Sequence, residues 1–106
     1  MSKHHCHATG CEVECRPTYL MCFIHWSVVP SVIQREVNRY YQTGQCDGEV
    51  TPSESWHKAA DAAIGAVALL EGQPIRKCQL EELLKVPRAR LSKELFMKLA
   101  ALERNP

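Results

Sequence analysis

Long apolar runs are missing from this chain. A membrane helix needs about eighteen continuous apolar residues, and the nearest candidate, Ala59 to Leu70, is shorter, rich in alanine and interrupted by Asp61. The residues ahead of Cys6, Met-Ser-Lys-His-His, carry no apolar stretch of the kind a secretion signal requires. The chain is therefore expected to be soluble, cytoplasmic and without a membrane attachment. Net charge is also nearly absent, formally +1, so the total points to no class of partner. There is no internal repeat and no low-complexity tract. A catalytic constellation is missing too. Glu12 and Glu14 have no paired histidine, phosphate-binding loop or nucleophile for company, and His57 with Asp61 reads as an ordinary i,i+4 surface pair. No enzyme is expected, a small zinc nuclease being the alternative on that side.

Cysteine is what the chain does have. Six occur in 106 residues, and four of them, Cys6, Cys11, Cys15 and Cys22, share residues 4–25 with His4, His5, His7 and His25. A small oxidised scaffold would concentrate cysteine in the same way, but a chain without a visible leader sits more simply where thiols stay reduced and bind metals. A module of about 45 residues seldom holds itself together by apolar burial alone, so a metal near its start would answer a physical need. Cys22-Phe23-Ile24-His25 supplies two donors at a spacing that lets both reach one ion. Cys6 and Cys11, on a loop loosened by Gly10, would supply the other two. Cys15 could replace Cys6 or Cys11, and His4, His5 and His7 are further candidates. If Cys15 is spare, it is a small buried hydrophobe or a thiol whose reactivity depends on its neighbours. Zinc is the expected cofactor, and a Cys3His set closes its coordination, which marks a structural site.

Beyond the cysteines the pattern is helical. Residues 1–29 show little periodicity, with residues 19–23 reading as a short extended knuckle. Residues 31–43 put Ile33, Val37 and Tyr40 or Tyr41 on one face, with Gly44 as the stop. A polar loop holding Cys46 and Asp47 follows. Thr51, Pro52 and Glu54 spell a helix start with Thr51 as the cap and Glu54 as its reciprocal partner. That helix runs to about Glu71, burying Trp56, Ala60, Ala63, Ile64 and Val67, and Gly72 with Pro74 ends it. Residues 79–85 form a short amphipathic helix. A longer one runs from Arg88 or Ser92 to Leu102, with Leu91, Leu95, Leu99 and Leu102 at three- and four-residue intervals. The fold class expected is mainly α, a small zinc knuckle (1–29) followed by about four short helices: a two-helix core (30–73) and a basic helical tail (74–106).

The motifs spread from Cys6-His7 and Gly10-Cys11 through Leu20-Met21-Cys22-x2-His25-Trp26 and Val29-Pro30. They continue through Gln34, Tyr41 and Gly44-Gln45 to Pro52-Ser53-x2-Trp56 and an Ala-rich helix. Over residues 6–70 this pattern resembles small zinc-finger-like proteins of phages, prophages and related mobile elements. The resemblance implies Cys6, Cys11, Cys22 and His25 as the ligands and leaves Cys15 outside the set. Cys15 and Cys46 stand where that family has other residues, and the tail beyond Gly72 is an addition.

Charge is unevenly placed. Residues 1–73 carry five Lys/Arg against eight Asp/Glu, and residues 74–106 carry eight against four. The stretch from Glu82 to Lys93 resembles the turn and second-helix start of helix-turn-helix proteins. Arg88, Arg90 and Lys93 would then meet bases or phosphates, with Lys85, Lys98 and Arg104 as outlying phosphate contacts. The knuckle has only Lys3 and Arg16 as fixed positive charges, which argues against a finger that reads DNA itself. Trp26, Tyr40, Tyr41 and Trp56 fall on good packing faces and are expected in the core rather than on a base-stacking surface. The function expected is a zinc-stabilised binding protein, an adaptor or inhibitor of a host protein. The alternative is a nucleic-acid-binding accessory protein using the basic tail. Either would be a monomer or a homodimer paired through its tails.

Overall fold

The computed structural model describes residues 4–45 and 48–104, with Arg104 by its backbone alone. Lys3, Cys46, Asp47 and the Arg104 side chain therefore lie outside the described residues. Five α-helices run in order: α1 (Phe23–Val28), α2 (Ser31–Tyr40), α3 (Glu54–Glu71), α4 (Lys77–Leu84) and α5 (Lys93–Arg104), with a 3-10 turn at Arg88–Arg90 before the last. No strand occurs among the described residues, where His5 and Glu14 form an isolated antiparallel bridge. None of these helices is long and apolar enough to cross a membrane.

The knuckle is held by backbone hydrogen bonds rather than by a sheet. The Cys6 N–H donates to the Val13 carbonyl at 2.8 Å, and the Cys15 N–H donates to the His4 carbonyl at 3.1 Å. Between these two contacts the chain turns through Gly10 at φ +82°, a left-handed conformation that a side chain resists. The first departure from the sequence reading comes next: residues 23–28, for which no helix was expected, form one. Cys22 is the N-cap of α1, and Pro30 ends it by forcing the residue before it, Val29, into extended geometry at φ −70°, ψ 129°. A six-residue helix with no buried residue leaves no apolar period to detect.

Two boundaries also shift. α2 stops at Tyr40, because Tyr41 is already extended, and Gly44 serves the following turn instead, where the Gln42 N–H is received by the Gln45 side chain at 3.2 Å. α3 is capped by Ser53, whose Oγ accepts the Trp56 N–H at 3.1 Å. The Thr51–Glu54 capping box does not form, since serine outranks threonine as a cap and lies closer to the helix. Its other end is as expected: Gly72, at φ +71°, donates back to Ala68 and Leu69.

α3 is the axis on which α2, α4 and α5 pack. Its alanines make close approach feasible, and Ala63 and Ala66 are wholly buried. The tightest point is Gly65, where an added Cβ would lie 3.1 Å from Ile75 Cδ1 and 3.2 Å from the Gln79 backbone oxygen. Buried Gln79 keeps its polar end satisfied by accepting the Arg76 N–H at 3.0 Å. Of the two proposed starts for the last helix, Ser92 is the one used: its Oγ accepts the Leu95 N–H at 3.2 Å. One continuous cluster joins Cys6, Met21 and Cys22 of the knuckle to Ile33 and Val37 of α2, Ala63 and Val67 of α3, and Leu83, Leu95 and Leu99 beyond.

Candidate metal centre

Four side chains converge where the knuckle meets the end of α3. The donor atoms of Cys6, Cys11, Cys22 and His25 all lie within 4.8 Å of one another. Cys22 and His25 come together because they occupy the N-cap and the third position of α1, one helical turn apart. Cys6 and Cys11 are brought round by the Gly10 turn, and the Ala8 N–H points at Cys6 Sγ from 3.4 Å.

The distances fit a metal. Tetrahedral zinc, with bonds of about 2.3 Å to sulfur and about 2.0 Å to nitrogen, sets its sulfur and nitrogen ligands about 3.5 Å apart. His25 Nδ1 lies 3.5 Å from Cys6 Sγ and 3.4 Å from Cys22 Sγ. These separations are the edges of a coordination tetrahedron, and the Cys3His donor set suits a single Zn2+ ion. The described cysteines are all free thiols, and no disulfide joins any two of them.

Proton affinities within the cluster are split. Burial pushes the Cys6 thiol up to about 11, against the pull of backbone groups of Cys22 and Ala8. At Cys22 burial acts in the same direction, but the His25 backbone N–H and the side chains of Cys6, His25 and Cys11 outweigh it and bring the thiol down to about 7. A thiolate at Cys22 is stabilised as thiolates at helix starts are. A bound divalent cation takes both sulfurs as thiolates, so its uptake releases protons.

Glu71 was not foreseen from the sequence. Its Oε1 lies 2.8 Å from His25 Nε2, on the far side of the ring from the sulfurs. With Nδ1 turned to the sulfurs, the Nε2–H donates to this carboxylate, which fixes the tautomer and the orientation of the ring. One signal could have found it: Glu71 is an acid in the last turn of α3, where no basic residue offsets it, against the preference of the helix dipole for cations there.

Cys15, His4 and His7 stand apart from the tetrahedron. Cys15 Sγ lies 3.5 Å from His4 Nδ1, and His4 Nε2 lies 3.2 Å from His7 Nε2. Burial, then the neighbouring Cys22 and Cys11, raise the Cys15 thiol. Burial, then the His4 charge, lower His7. His5 is exposed.

The basic tail is partly neutralised by its own acids. Lys85 pairs with Glu82 at 2.9 Å, while Arg88 pairs with Glu103 and lies over the Phe96 ring at 5.8 Å. Arg90 and Lys93 are exposed and Lys98 is half-buried. Residues 85–92 separate α4 from α5, a longer connection than the turn of about three or four residues in a helix-turn-helix unit.

A cavity of about 1020 Å³ opens between the knuckle, α2 and the start of α3. Tyr19, Phe23, Trp26, Tyr41 and Trp56 line it. Trp26, Tyr41 and Trp56, expected in the core, thus sit half-buried around an opening, Tyr40 is half-buried outside it, and the Trp56 Nε1–H is buried without an acceptor. No protein-family model, curated protein or solved structure matches the chain.

Proposed function

We propose that this chain is a zinc-stapled, non-catalytic binding module that holds a segment of a host protein in its aromatic cleft, acting as a cytoplasmic adaptor or inhibitor. The observation that carries this reading is the unpaired Trp56 indole N–H in a cleft lined by four other aromatic side chains. Burying such a donor without a partner costs about 1–3 kcal/mol. A backbone carbonyl of an inserted segment removes that cost, while the aromatic rings cover its apolar side chains. Phe23, 87% exposed, and Ile24, 73% exposed, extend the apolar surface beyond the cleft mouth.

The donor set supports a non-catalytic role for the metal, because four protein ligands leave zinc no position for water or substrate. The likeness of residues 6–70 to mobile-element proteins supports a host partner. Contact with nucleic acid is less favoured, since Lys85 and Arg88 already answer to Glu82 and Glu103. The test is capture of a partner by zinc-loaded chain from host lysate, with and without nuclease, in parallel with Trp56→Phe and Tyr41→Ala variants. Capture should survive nuclease and fall in both variants while zinc content holds. Capture that disappears with nuclease, or that both variants retain in full, rules the cleft reading out.

A further inference from the structure

Four donors from the cysteine-rich start remain after the Cys3His site is assigned: His4, His5, His7 and Cys15. We infer that His4 and His7 form a second, open metal site that takes a borderline divalent cation such as Zn2+ through their two Nε2 atoms. It owes nothing to the cleft reading.

The spacing of the two rings is the one that chelation needs. Two imidazoles bound through nitrogen to one tetrahedral ion, at about 2.0 Å each, have those nitrogens about 3.3 Å apart and ring centroids about 5.1 Å apart. Rings joined by a straight N–H···N bond of the observed length would have centroids about 5.5 Å apart. Here the nitrogens are 3.2 Å apart and the centroids 5.1 Å, with the planes inclined at 56°. Both separations are those of two rings sharing one ion.

The knuckle also sets the ring state this requires at His4. His4 Nδ1–H donates to the Cys15 carbonyl at 3.3 Å, which leaves Nε2 as the free donor for a metal. The His4 backbone is tied by the Cys15 N–H at 3.1 Å, and the His7 backbone by its own N–H to the Leu20 carbonyl at 3.0 Å. Cys15 Sγ sits beside Nδ1, on the edge of the ring away from Nε2, so it is not a third ligand to this ion. Two positions of the ion then stay open to water or to a donor from a partner. Imidazole nitrogen suits zinc, copper and nickel, and two ligands hold an ion more loosely than the closed Cys3His set.

The experiment loads the full chain with one zinc, then titrates further Zn2+ by calorimetry and counts bound ions by native mass spectrometry. Parent chain should take up a second ion. His4→Gln and His7→Gln should each weaken that second uptake by about tenfold or more, keeping the first ion and the helical spectrum. His5→Gln and Cys15→Ala should leave it unchanged. Glutamine at position 7 keeps the backbone tie to Leu20, so the His7 variant decides the matter even if His4→Gln disturbs the knuckle. No second ion in the parent overturns the inference. So does an equal loss in His5→Gln, which would mark diffuse binding on a histidine-rich surface, and so does loss in Cys15→Ala, which would put a thiolate in place of the imidazole pair.

Discussion

Replacing Glu71 should loosen the zinc while easing the helix that carries it. The carboxylate accepts from His25 Nε2 at 2.8 Å, and removing such an orienting partner costs about 10- to 100-fold in metal affinity. Its side chain is 45% exposed, so water screens the contact and the lower end applies. Glu71→Ala should weaken zinc binding by about tenfold, or ~1.4 kcal/mol. Glu71→Gln, which keeps an acceptor but not the charge, should fall between. The same carboxylate sits at the dipole-negative end of α3, and its loss there relieves about 0.3–1 kcal/mol in the metal-free chain. Competition against a chromophoric chelator measures the first effect, and thermal melting of metal-stripped protein the second. Affinities of both variants indistinguishable from the parent would refute the assignment of His25 Nδ1 to the metal and Nε2 to Glu71.

Three further outcomes are expected. Leu83→Ala should cost about 2–5 kcal/mol in denaturant unfolding, because Leu83 is wholly buried where α4 meets the core; a loss below the bottom of that range would mean the site collapses around the gap. Gly65→Ala should lower the melting temperature although alanine favours helix by about 1 kcal/mol, since the new methyl meets the Gln79 backbone oxygen and α4 must move; a higher melting temperature contradicts that packing. Zinc uptake at about pH 6 should release nearly one more proton from Cys22 than at about pH 8. Cys22, at about 7, is protonated in the first case and already ionised in the second, whereas Cys6, at about 11, gives up a proton in both. Affinity should accordingly rise more steeply with pH below neutrality. Calorimetry in buffers of different ionisation enthalpy reports the count, and a release that does not vary with pH tells against the split.

The parts of the fold that were legible in the sequence are those carried by periodicity or by local chemistry. Ile33 and Val37 mark α2, the leucines mark α5, and Gly72 marks the end of α3, because each states its geometry within a few residues. The convergence of Cys6, Cys11, Cys22 and His25 was legible in part, through the two-residue spacing of Cys22 and His25. Three features were not. α1 is too short to show a period. The choice of Ser53 over Thr51 turns on a small difference between two good caps. Glu71 reaches His25 from forty-six residues away in the chain, and a contact set by packing α3 against the knuckle leaves no spacing rule to read. Cys15 was ambiguous for the same reason: only the pairing of residues 4–6 with 13–15 shows that it faces His4 rather than the tetrahedron.

α1 has zinc ligands at both ends of its first turn, and Phe23 and Ile24, the residues between them, are the most exposed large apolar side chains among those described. The ion thus clamps the backbone that presents them, so a partner meeting this surface finds much of the ordering already done. Thermodynamic reciprocity then applies. A partner that recognises only the clamped turn must tighten the hold on zinc by the same factor by which zinc tightens the hold on the partner. Bound protein and bound metal would protect one another, and scarcity of zinc would release both.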